Sequence, residues 1–333
     1  MEDKKIISGL DVLKFVMAIF IVNIHLKPLR YASETVQDVV GIMAGLAVPV
    51  FFTVSSFLLF RKIQGGGNSG DIRKIAHFCK RLVTLYLFWC VVWSPVVYMQ
   101  KDYFHPLSPF APLLLVRDFL FGSIFDASWF LGALLIGVPV VYVLTRVLRT
   151  AFFWIIPLGL YVFICLGGYY PVTWQLVNGW YEAYVCEDGM WLSFPSGLVW
   201  ISLGYMLSRD KVVDVFSRWR SSCLWLLSVL SVVFLEVGVS LPVVGNIITV
   251  ALLFTASYTV KLPRRPDLYK RLRTYSILFY VIHDCFKKIP KQLFGMENGP
   301  ALFFVTIMFC LLASEAIIRL RQVKGFGWLK YAY

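Results

Sequence analysis

The chain has 333 residues, 59% of them hydrophobic, 17% aromatic and only 15% charged, with 32 Lys and Arg against 19 Asp and Glu for a net charge of +13. An ordinary soluble domain carries about 25% charge and a disordered one still more, so a mean hydropathy of +0.73 excludes both. What remains is an all-α polytopic membrane protein.

A helix needs roughly 20 residues to cross about 30 Å of hydrocarbon. Taken in chain order, ten segments meet that length: 10–28, 39–60, 77–99, 128–148, 151–169, 190–208, 221–240, 243–261, 273–293 and 300–321. The first follows Lys4 and Lys5 as a secretory signal would, but no small-residue cleavage site follows His25, so it is read as a span. Residues 65–70 are a Gly-rich linker after the second. Residues 107–122 are apolar but short and proline-broken, which predicts an interfacial or re-entrant helix. The loop 171–189 mixes Trp174, Trp180, Tyr181 and Tyr184 with Glu182, Glu187 and Asp188, a composition that suits either an interfacial aromatic belt or sugar stacking. What is left between the spans holds no soluble domain, so residues 1–333 are read as one integral membrane domain.

Orientation follows from the cations. The N-terminal tail, the loops after even-numbered spans and the C-terminal tail hold 24 of them; the other side holds seven, Lys27, Arg30, Lys101, Arg117, Lys287, Lys288 and Lys291. Both termini are therefore expected in the cytoplasm, and the positive charge gives no reason to invoke nucleic acid. The seven cysteines are scattered without C-x-x-C spacing and predict neither a disulfide framework nor a metal site.

Ionisable groups inside spans are costly and point to function. Lys14 and His25 are eleven residues apart in the first span, which returns them to nearly the same helix face about 16 Å apart along the axis. One stripe thus presents a cation deep and an imidazole near the outer end. The structural alternative has Lys14 snorkelling, paired with Asp11, and His25 among headgroups. His283 beside Asp284, with Tyr280 one turn earlier, is a second such group. Glu315 stands four residues before Arg319 and is read as its ion-pair partner.

Several stretches, in order, resemble the membrane acyltransferase 3 family of ten-span bacterial proteins. Gly9-Leu10-Asp11-Val12-Leu13-Lys14 with His25 is similar to its opening, in which an arginine precedes a histidine. Val48-Pro49-Val50-Phe51-Phe52-Thr53-Val54-Ser55-Ser56-Phe57 resembles its V-P-x-F-F-x-x-S-G-F span, Lys80-Arg81 its basic third-span entry, Trp129-Phe130-Leu131 its W-F-L motif, and Ser276 to Tyr280 to His283 its late S-x-x-x-Y-x-x-H stretch. Lys14 replaces the arginine and Ser56 the glycine; lysine keeps the charge but lacks the bidentate fork.

The resemblance implies transfer of an acyl group, commonly acetyl, from cytoplasmic acyl-coenzyme A to a hydroxyl on an extracytoplasmic glycan or lipid-linked sugar at the bacterial inner membrane. It makes His25 the candidate general base, with Lys14 holding or stabilising the donor and an acyl-histidine as the variant route. Arg61, Lys62, Lys80 and Arg81 are candidates for coenzyme A phosphates, or simply positive-inside topology. Trp129, Trp174, Trp180, Tyr280 and His283 are candidates for the acceptor. The competing reading is a transporter or flippase of a lipid-linked glycan or small solute, although the two halves show no inverted repeat. A structural partner in polysaccharide export is the third.

Overall fold

The computed structural model describes residues 7–63, 69–125, 128–209, 212, 215, 218–236 and 242–333. They form two compact units, Met1–Val54 with Arg209–Tyr333, and Ser55–Ser208. Among the described residues every regular element is helical: α1 Ser8–Leu26, α2 Glu34–Gly45, α3 Ala47–Phe60, α4 Ser69–Val92, α5 Ser94–Gln100, α6 Ala111–Phe121, α7 Trp129–Val147, α8 Thr150–Phe153, α9 Ile155–Cys165, α10 Pro171–Tyr184, α11 Phe194–Leu207, α12 Ser221–Glu236, α13 Pro242–Thr259, α14 Pro266–Phe294 and α15 Pro300–Leu320. The Gly-rich linker lies largely outside the described residues.

Among the described residues five helical stretches have the length and apolarity to cross a membrane: Ser8–Leu26, Glu34–Phe60, Ser69–Val92, Trp129–Val147 and Pro300–Leu320. The expected spans five to eight fall on shorter apolar helices. The ninth falls on α14, which is long but charged at both ends and carries Asp284 within the stretch between Arg273 and Lys287. The chain is a multi-pass membrane protein. The helix expected within 107–122 is α6. The loop 171–189, in contrast, is mostly helix: Pro171 opens α10 in the first turn, where a missing N–H costs nothing.

Prolines set the breaks between paired helices. A proline lacks the N–H that would bond the carbonyl four residues back, and its ring crowds that carbonyl. Pro49 follows the break at Leu46 and Pro157 the break at Trp154. Pro95 does the same to Val91, whose carbonyl instead accepts a hydrogen bond from the Ser94 hydroxyl at 2.9 Å.

In the first unit α1 packs along α14, with α2, α13 and α15 also against it. Asp11 meets Arg273 near the start of both helices and His25 meets His283 towards the end of both, so α1 and α14 run parallel. That is the direction two odd-numbered spans share. Gly9 lets α1 touch the α13 backbone: a Cβ there would lie 1.8 Å from the Ser257 carbonyl oxygen. Gly41 on α2 has open space around it. Gly9→Ala is therefore expected to lose about 1–3 kcal/mol through overpacking, whereas Gly41→Ala should be neutral or gain up to about 1 kcal/mol from helix propensity. Unfolding midpoints of the two purified variants compare them directly.

In the second unit α7 is the central helix, packed by α4, α6 and α11, with α9 against α11.

Candidate functional site

Three helices bring charged and aromatic residues of the first unit into one cluster. The Lys14 ammonium lies over the Phe51 ring, 5.4 Å from its centroid, in cation–π geometry. Phe51, from α3, meets Tyr280 of α14 at 6.2 Å between centroids. One turn on, the His283 ring lies 5.2 Å from that of His25, tilted by 35°. Lys14, Tyr280 and His283 are buried and His25 is half-buried. The cluster therefore joins Lys14 to His25 through the second and third helices as well as along the first.

The tautomer of His283 is fixed by its neighbours. Its Nδ1 is 2.9 Å from the carbonyl oxygens of both Phe279 and Tyr280. Carbonyls only accept, so Nδ1 donates, and in the neutral ring Nε2 carries the lone pair. Asp284, beside it, is engaged by Lys287 and by Lys288, the latter at 2.6 Å.

Asp11 is held by Arg273 through two hydrogen bonds of 2.7 and 2.8 Å, in the bidentate geometry that a guanidinium favours. The sequence-local pairing of Asp11 with Lys14 is thus replaced by a long-range one. Glu315 does bond Arg319, at 2.7 Å, and also accepts from the Tyr275 hydroxyl at 2.8 Å.

The other candidates belong to the second unit. Arg61, Lys62, Lys80 and Arg81 are exposed. Arg61 lies over Phe57 at 6.0 Å, and the Lys62 carbonyl accepts from the Lys74 ammonium at 2.6 Å, tying the start of α4 to the end of α3. Trp129, half-buried, opens α7 directly after Ser128. Ser128 Oγ accepts from the Ile124 amide at 2.9 Å and shares a 2.9 Å hydrogen bond with the Tyr86 hydroxyl. Tyr86 stacks on Phe119 with centroids 4.2 Å apart. Tyr86 of α4 and Ser128, directly before the W-F-L stretch, are thereby joined in one buried network.

Trp174 and Trp180 part company. Trp174 lines a cavity of about 370 Å³ with Asn178, Glu182, Asp188 and Trp191. Trp180 is 59% exposed and packs only loosely on Tyr184, at 5.8 Å. Tyr181 is buried, its hydroxyl 2.8 Å from Ser193 Oγ, and is a core residue. Beside the cavity, Asp118 is fully buried and binds Lys101 at 2.8 Å and Arg117 at 2.7 Å. Glu187 bridges the same two cations, Arg117 at 3.5 Å. Burial alone would lower the Lys101 pKa; its hydrogen bonds to Asp118 and Glu187 outweigh that and raise it.

The acyltransferase 3 family model, described as an acyltransferase domain, matches residues 7–331. The chain belongs to that acyltransferase family. Two curated proteins resemble this acyltransferase over part of its length. An amino-acid racemase of Enterococcus faecalis is 29% identical over 141 residues, 42% of this chain and 19% of that protein. A serine/alanine racemase of Enterococcus gallinarum is 26% identical over 164 residues, 48% and 23% respectively. The match thus covers about a fifth of the length of these relatives. No solved structure matches the chain.

Sequence reading of this acyltransferase passed over Phe51 as a partner of Lys14, Arg273 as a partner of Asp11, and Asn178 and Trp191 at the cavity. Asn178 had a local signal: it precedes Glu182 by four residues, and its amide donates to that carboxylate at 2.6 Å.

Proposed function

We propose that this acyltransferase moves an acyl group, acetyl in the simplest case, from cytoplasmic acyl-coenzyme A to a hydroxyl of an extracytoplasmic glycan or lipid-linked sugar. The observation that carries the reading is the convergence of three separated family stretches, on α1, α3 and α14, in the Lys14–Phe51–Tyr280–His283–His25 cluster.

A sugar hydroxyl attacks a thioester poorly until its proton is taken as the new bond forms. The neutral His25 ring accepts that proton while the hydroxyl oxygen bonds the acyl carbon. The carbon–sulfur bond then breaks, and the departing coenzyme A thiolate regains a proton from the imidazolium, leaving ester and free thiol. His283, anchored through Nδ1 to its own helix, limits rotation of the His25 ring by contact. Lys14 supplies positive charge in a buried site, where it counts for more than in water. The racemase chemistry named for the relatives is not carried over, because only about a fifth of those proteins is shared.

The exposed Arg61, Lys62, Lys80 and Arg81 are the cations this reading assigns to the donor's phosphates. Exposed cations are screened over about 8–10 Å at 0.1–0.15 M salt, so acetyl-coenzyme A binding should weaken as salt rises, and weaken at low salt when Arg61 and Arg81 are both changed to Gln. Titration calorimetry of the purified protein tests both. Affinity indifferent to salt, or no binding, shifts the reading to a transporter.

A further inference from the structure

We propose that the cavity between α9, α10 and residues 188–191 is a subsite for a neutral sugar ring of the acceptor. The inference rests on the glycan-acceptor reading and names where such a glycan is gripped. About 370 Å³ lies within the range of roughly 300–1,000 Å³ typical of small-molecule sites.

The lining is matched to a sugar in two respects. A pyranose offers a C–H face and a hydroxyl edge, and Trp174 and Trp191 supply aromatic surface for the face while Asn178, Glu182 and Asp188 supply polar atoms for the edge. The polar wall is also built in place. Asn178 Oδ1 accepts from the Met190 amide at 3.0 Å, and its Nδ2 donates to Glu182 Oε1 at 2.6 Å. The second oxygen of Glu182 is left to accept from a ligand hydroxyl.

Two glycines shape the walls. Gly189 has φ +75°, and a Cβ there would come within 3.1 Å of both Asn178 Oδ1 and Glu182 Oε1. At Gly167 a Cβ would lie 2.6 Å from the Trp174 ring, so only glycine lets that indole lie against the backbone.

Two carboxylates beside two indoles would also suit an amine. Geometry favours the neutral ligand: Glu182 already gives one oxygen to the Asn178 amide, and the shift of the Asp188 pKa, raised by burial and by Glu187 nearby, runs in the same direction.

The test uses the full chain in nanodiscs, titrated with cellobiose and with diacetylchitobiose as neutral probes and with choline as the cationic one. Saturable binding of at least one disaccharide is expected. It should weaken about tenfold in Trp191→Ala and in Glu182→Gln and stay unchanged in Trp225→Phe, a substitution in the other unit. Absence of saturable disaccharide binding, preference for choline, or unaltered binding in Trp191→Ala overturns the proposal. His25→Ala should still bind the disaccharide. Acyl transfer retained in that variant would sink the assigned base and leave the subsite standing, whereas transfer lost with no sugar binding in any form sinks the subsite alone.

Discussion

His25→Ala should reduce acyl incorporation into glycan by about 10²–10⁴-fold, the span usual for loss of a positioned general base. The unfolding midpoint should move little, because the side chain is only half-buried and fills no closed core. Full activity in the variant would end its assignment as base. A companion series at Lys14 separates charge from packing. The ammonium sits on the Phe51 face, and arginine keeps both positive charge and ring stacking, so Lys14→Arg should retain most of the rate while Lys14→Met should lose it. Equal rates for the two would reduce Lys14 to a structural residue. His283→Asn adds a control: an amide can still donate to the carbonyls of Phe279 and Tyr280, but it offers His25 no ring contact.

Hydrophobic run length carries most of what could be foreseen about the helices, since a stretch such as 300–321 has no soluble alternative. Its limits show where charge or proline intrudes. In α14 the charge-rich stretch from Asp267 to Arg273 is nonetheless helical, because Pro266 and Asp267 make a favourable N-terminus and Gly295, at φ +62°, closes the other end. In α10 the aromatic and acidic mixture reads as loop, although a proline at the first turn and an Asn–Glu pair four apart were helix signals in plain view. The site divides in the same way. Lys14 and His25 share a face by helical period alone, so they were readable. Their partners Phe51 and His283 come from distant stretches, and nothing in a local spacing says that 14 meets 51 or that 11 meets 273. Only the order of family-like stretches hinted that these belong together.

The second large effect is expected at Asp118, which is fully buried and holds two cations. Removing one partner of a buried ion pair leaves uncompensated charge, which typically costs about 3–5 kcal/mol. Asp118→Ala should therefore strongly destabilise the second unit, leaving Lys101 and Arg117 facing Glu187 alone. Glu187→Ala should cost under about 1 kcal/mol, because that carboxylate is about half exposed and its pairs are screened by solvent. The double change Lys101→Met with Asp118→Leu discriminates between a salt-bridge requirement and a charge-burial penalty: apolar replacement of a buried pair is often neutral, so it should recover much of the loss. The pH dependence has a definite sign. The Lys101 pKa is raised in the folded chain, so its contribution is complete below the ordinary lysine value and disappears only as alkali carries pH through the raised one. Unfolding midpoints of the wild-type chain should consequently fall on the alkaline side more steeply than those of Lys101→Met, and parallel curves would mean that the clasp adds nothing to stability. The cavity's Asp188 follows Glu187 directly, so loss of the clasp should also loosen the disaccharide site, with binding weakened in Asp118→Ala at temperatures where the variant is still folded.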